Sequence, residues 1–139
     1  MRRRRQSRSE PLSTVDTTQS RERALAAAQA AADKKATDIR ILDLGELLGI
    51  TDYFVIVTAG NERQLGTVAD EVQARLKGGG ASPRRREGGK ETGWMLLDYG
   101  DVVVHAFTPE QRSYYELERL WSDAPKVEFS PAPEAAIAD

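Results

Sequence analysis

The sequence predicts one α/β domain of the α+β kind, a mixed sheet of four to five strands with helices packed on it, and three observations carry that prediction. The runs "ITDYFVIVTAG" (50–60) and "GWMLLDYGDVVVHAF" (93–107) are apolar, β-branched and aromatic, the composition of strands inside a sheet. Neighbouring segments instead repeat their apolar residues at helical spacing. The 139 residues with 40% hydrophobic content are enough for one ordinary core and too few for two.

Residues 1–19 mix Arg, Ser, Thr and Pro without periodicity and read as a disordered basic tail; 20–129 hold the fold; 130–139, rich in Pro and Ala, read as a second disordered tail. "SRERALAAAQAAADKKA" has high helix propensity, with Ser20 placed to cap a first helix ending near Ala36, and its alanine face predicts close packing. "TDIRILDL" (37–44) alternates as a strand with one wet face does. Only the short "GELLG" separates it from the next strand, so the two are expected to pair antiparallel. From Asn61, a suitable N-cap, the period becomes helical: Leu65, Val68, Ala69, Val72 and Leu76 share one stripe. Gly78 to Gly80 stop that helix, and "SPRRREGGKE" follows as a short basic edge strand or exposed loop.

The run from Gly93 then divides into a hairpin, Gly93 to Asp98 and Asp101 to Phe107, with Tyr99 and Gly100 at the tip. "TPEQ" has the parts of a helix start: Thr108 as N-cap, Pro109 in the first position, Gln111 three after the cap. Tyr114, Leu117 and Trp121 form its stripe, and Pro125 lies beyond its end.

Composition removes several function classes. There is no cysteine, which excludes disulfides, thiolate catalysis and cysteine-based zinc sites. No run is long and apolar enough to cross a bilayer, and "MRRRRQSRSE" is not followed by the apolar stretch of an export signal, so a cytoplasmic setting is expected. An organellar presequence would also be rich in Arg and Ser, but Glu10 and Asp16 count against one. The first 20 residues carry five arginines and two acids, +3, leaving −5 on the rest for a net charge of −2. A mildly acidic body argues against a groove that follows a phosphate backbone, although the basic tip is suited to touch RNA.

Chemistry finds little purchase. A hydrolytic triad has no nucleophile elbow here. His105, the single histidine, alternates with Val103 and Phe107 and reads as a satisfied structural residue of a buried strand. One histidine beside Asp98 and Asp101 makes a poor transition-metal set. "TAGN" (58–61), at a strand end entering a helix, is where a phosphate often binds, but no Asp-x-Asp or Asp-x-Glu accompanies it to hold magnesium. A binding role remains. Trp94, Leu96 and Asp98 share one face of their strand and Met95, Leu97 and Tyr99 the other. A tryptophan near a turn with two acids has the composition of a protein-binding hot spot for a basic partner. In the competing reading Trp94 is core and the aspartates brace the turn.

The succession "ITDYFVIVTAGNERQ", "REG", "GWMLLDYGDVVVHAF" and "RSYYELERLW", spread over Ser20 to Phe129, resembles the ribosomal silencing factors, the iojap family of bacteria and organelles. The resemblance implies a nucleotidyltransferase-like fold without the catalytic carboxylates, no enzymatic activity, no cofactor and no metal. It implies attachment to ribosomal protein fourteen on the large ribosomal subunit, which blocks joining of the small subunit and represses translation. The contact residues it implies are Trp94, Asp98, Tyr99 and Asp101. Weak ribosomal RNA contact by the arginine tail, and a homodimer through the same face, are compatible with it; no membrane partner is expected. "TAGN" departs from the family's usual Thr-Gly followed by serine. The alternative reading is a nucleotide-binding or nucleotidyltransferase-like enzyme.

Overall fold

The computed structural model describes residues 11–45, 51–115 and 124–132. Helix α1 spans Pro11–Asp33, strands β1 and β2 Thr37–Asp43 and Tyr53–Thr58, helix α2 Glu62–Gly78, strand β3 Arg85–Gly89, strands β4 and β5 Trp94–Asp98 and Val102–Phe107, and helix α3 Pro109–Tyr115. The strands form one five-stranded sheet in the order β1-β2-β5-β4-β3. Only β2 and β5 run parallel.

The first helix starts nine residues before the expected Ser20, at a proline, which the first turn accepts because its missing N–H has no intrahelical partner there. Part of the expected tail is therefore helix, and Ser20 is not a cap but a mid-helix residue, 1% exposed. Composition misled here because what anchors this segment is tertiary: Ser20 and Arg23 bind side chains far along the chain. The helix ends at Asp33 rather than Ala36. Lys35 enters the left-handed region (φ 72°), and the N–H groups of Lys35 and Ala36 return to the carbonyls of Ala32 and Ala31, a Schellman turn made without glycine.

Helix α2 follows its sequence signals. The Asn61 side chain accepts from the Gln64 N–H at 2.8 Å, and the predicted stripe from Leu65 to Leu76 is buried. At its end Gly80 takes φ 94° while Gly80 and Ala81 donate to Lys77 and Leu76.

Both long helices cover one face of the sheet. Ala24, Ala27, Ala28 and Ala31 of α1 let its backbone come close, and with the α2 stripe they pack on Val55, Val57, Val104, Met95 and Leu97. Each fully buried Val or Leu contributes about 1.5–3 kcal/mol. The other face carries a smaller cluster of Leu42, Leu44, Ile56, Phe107 and Ala124, with Phe54 and Trp94 packed against it.

Residues 124–129 lie along the open edge of β1: Asp43 N–H donates to Pro125 O and Val127 N–H to Ile41 O. Beyond them, Ala132 exchanges two hydrogen bonds with the Gln29 side chain, so part of the second expected tail is tied to α1. At the start of α3 the Thr108 carbonyl accepts from Arg112 N–H, and the buried Arg112 guanidinium donates to Asp38 O and Thr58 Oγ1. The predicted stripe of Tyr114, Leu117 and Trp121 lies outside the residues whose side chains are described.

Candidate functional site

The face of the sheet opposite α1 and α2 is built in rows that the strand register fixes. One row runs Leu42, Phe54, Val103, Asp98, Arg85; the next Arg40, Ile56, His105, Leu96, Glu87; the third Thr58, Phe107, Trp94, Gly89. Alternation along β4 therefore sends Met95 and Leu97 into the helix-side core and turns Trp94, Leu96 and Asp98 the other way. Phe54, Trp94, Val103 and His105 are partly buried, which makes the centre of this face apolar and aromatic.

The four expected contact residues do not form one patch. Trp94 opens β4 and Asp98 closes it, four residues on, so they stand about 13 Å apart along the strand. A tryptophan flanked by negative charge at a hairpin tip is thus not what the fold makes. The acids of the tip are also engaged internally. Asp98 is 9% exposed; its Oδ1 accepts from Gly100 N–H at 2.8 Å, bracing a turn in which Gly100 has φ 90°. Arg84 and Arg85 lie 3.6 Å from its carboxylate.

Asp101 reaches across to α1. Its carboxylate accepts from Arg23 at 2.8 Å through both oxygens and sits 2.7 Å from Ser20 Oγ, which is also 3.1 Å from Asp52. Its backbone carbonyl accepts the N–H groups of Asp52 and Tyr53. Tyr99 packs on the side of α1 and α2 with its hydroxyl buried and, among the described residues, without a hydrogen-bond partner, and burial pushes it up to about 12 against the opposing pull of Arg23 and Arg86. Both aspartates thus have internal partners, and Ser20, Arg23 and Asp52 are neighbours that no local pattern announced.

His105 is central on the face opposite α1 and α2. Its ring meets Phe54 edge-on at 4.6 Å and lies parallel to Phe107 at 6.1 Å. Its Nε2 is wholly buried and, among the described residues, has no hydrogen-bond partner, so the satisfied histidine expected from the sequence is not what stands here. Loss of water lowers it to about 4, outweighing the upward pull of Asp98.

The region expected for a phosphate is a cavity of about 400 Å³ lined by Gly60, Asn61, Thr92, Thr108 and Gln111 among others. Its polar groups serve the fold: Asn61 caps α2 and Gly60 N–H donates to Gln64 Oε1 at 2.7 Å. Among the described residues, no three His, Cys, Asp or Glu side chains converge as a metal site.

A five-stranded mixed sheet sealed by α1 and α2 on one side, with a second apolar and aromatic cluster on the other, defines a small α/β domain. Residues 17–139 match the family described as "Ribosomal silencing factor during starvation". A "Ribosomal silencing factor RsfS" of Bacillus subtilis is 42% identical over 103 residues, 74% of this chain and 87% of the relative. "Protein Iojap, chloroplastic" of Zea mays is 35% identical over 113 residues, 76% of this chain and 46% of the relative. A crystal structure of a Chromobacterium violaceum protein superposes with a TM-score of 0.70 at 35% identity, covering 84% of this chain and 94% of that one. One from Bacillus halodurans gives 0.69 at 36%, covering 78% and 99%. The chain belongs to the ribosomal silencing factor family, whose members are named as regulatory factors rather than enzymes.

Proposed function

We propose that this protein represses translation by docking on the large ribosomal subunit, against ribosomal protein fourteen, and sterically excluding the small subunit. The observation that carries the reading is the sheet face opposite α1 and α2, with partly buried Trp94 and Phe54 over an apolar floor, in a chain of the ribosomal silencing family. Aromatic side chains in such a setting are the usual energetic centres of protein interfaces. The four residues expected at the contact divide by role. Trp94 supplies contact area, while Asp98, Tyr99 and Asp101 hold the hairpin in shape from its far end. The mechanism needs only occupied volume, so no covalent step enters it. A cytoplasmic setting suits it, and no helix among the described residues is long and apolar enough to cross a membrane.

The test is sedimentation of purified subunits through sucrose with and without the protein. Excess protein is expected to reduce joined particles and to pellet with large subunits. Trp94→Ala should weaken that pelleting about 30-fold, the equivalent of ~2 kcal/mol for a hot-spot aromatic. Undiminished joining in the presence of excess folded protein overturns the proposal.

A further inference from the structure

We propose that the edge of the sheet at β3 is a second contact surface, one that takes the phosphate backbone of RNA. Among the described residues strand β3 pairs only with β4, on one side, and the run Arg84, Arg85, Arg86 leads into it, with Lys90 just past its end. Between this edge and α2 lies a cleft of about 390 Å³, lined by Arg63, Arg86 and Lys90 with Asp70 as its one carboxylate. In a chain whose net charge is −2 this is a local excess of positive charge. Among the described residues Arg63 and Lys90 have no ion-pair partner, and both are exposed.

The remaining cations are held loosely. Arg84 and Arg85 keep 70% and 57% of their side-chain surface in water and meet Asp98 only at 3.6 Å, Arg85 also touching Glu87 at 3.1 Å. Arg86 bonds Gln73 and Asp70 on the flank of α2. Exposed pairs of this kind contribute little, so a phosphate that accepts bidentate hydrogen bonds from arginine can replace them.

The floor of the cleft is glycine. Gly66, Gly88 and Gly89 line it, which lets a sugar–phosphate chain come close to the backbone. Gly88 is held to glycine by geometry, with φ 81° and room for no Cβ, which would stand 2.2 Å from Trp94 O. Register places Gly89 beside Trp94, so the basic edge adjoins the aromatic face and one body can present both. The choice of RNA over an acidic peptide rests on the ribosomal reading, since a large ribosomal subunit exposes both protein and RNA phosphate.

Anisotropy of a fluorescently labelled RNA hairpin tests this with the full chain. The variant Arg63→Gln/Arg84→Gln/Lys90→Gln, checked for an unchanged melting temperature, should bind more weakly and reduce the slope of log Kobs against log salt by about 2, at ~0.7–0.9 for each phosphate no longer neutralised. A second variant, with Arg2 to Arg5 changed to Gln, measures the share of the arginine-rich start and should leave that difference intact. Trp94→Ala should bind the bare hairpin like the parent while losing large-subunit pelleting, so this proposal and the docking reading fail separately. Equal affinity and slope for the parent and the triple variant overturns the RNA contact. So does displacement of the hairpin by polyglutamate of equal charge at the same concentration, which identifies an acidic peptide as the better ligand.

Discussion

Protonation of His105 should limit the stability of this protein in mild acid. The unfolded chain takes up a proton on this residue near 6.5, whereas the folded chain does so only near 4, because burial opposes the charge. Between those values the unfolded state holds the extra proton, so the contribution is complete above 6.5 and disappears as pH falls towards 4. At 1.36 kcal/mol per pH unit the whole interval amounts to about 3 kcal/mol, of which about 2 is lost by pH 5. The informative comparison is with His105→Leu, which removes the titrating group and the unpartnered Nε2 but keeps an apolar side chain against Phe54 and Phe107.

Urea unfolding followed by tryptophan fluorescence should put the variant's midpoint at or above the parent's at pH 7, by up to about 1 M, since an unsatisfied buried polar atom costs about 1–3 kcal/mol. At pH 5 the parent should fall behind by about a further 1 M in midpoint for a slope near 2 kcal/mol per molar. Every other titrating side chain is present in both proteins, so the difference reports the histidine and its coupling to Asp98. If the two midpoints shift in parallel from pH 7 to pH 5, the ring is hydrated or hydrogen-bonded and the reasoning is refuted.

Arg23→Ala leaves Asp101 with Ser20 alone and should cost about 1 kcal/mol, because the pair is partly exposed, with amide exchange accelerated in the part of α1 preceding Ala24. Gly88→Ala drives a methyl group into Trp94 O and should destabilise by about 2 kcal/mol or more, read as a lower thermal midpoint. Asp98→Asn keeps the hydrogen bond to Gly100 N–H while removing the charge, so large-subunit pelleting should stay within about 3-fold of the parent, less than 1 kcal/mol. A loss equal to that of Trp94→Ala would restore the acidic turn as a direct contact.

Much of the architecture was legible because local signals agreed with the global fold. The Asn61 cap, the stripe from Leu65 to Leu76 and the glycine stop describe α2 almost completely. The hairpin from Gly93 to Phe107 could be read from its apolar runs and its Tyr99-Gly100 tip. The site was less legible. Trp94 and Asp98 are four apart in sequence, which looks like proximity, but an extended strand turns four residues into about 13 Å. The start of α1 was hidden for the opposite reason: the contacts of Ser20 and Arg23 lie 81 and 78 residues away.

By itself the sequence determined the α/β class, the alternation of the strands and the absence of a thiol, since propensity, period and composition act over a few residues. Folding decided which face of β4 turns towards α1 and α2, because that depends on where the two helices pack. It also decided that the tip acids direct their charge to Arg23, Arg84 and Arg85, because electrostatic pairing follows distance in space, and only the closed sheet brings those groups together.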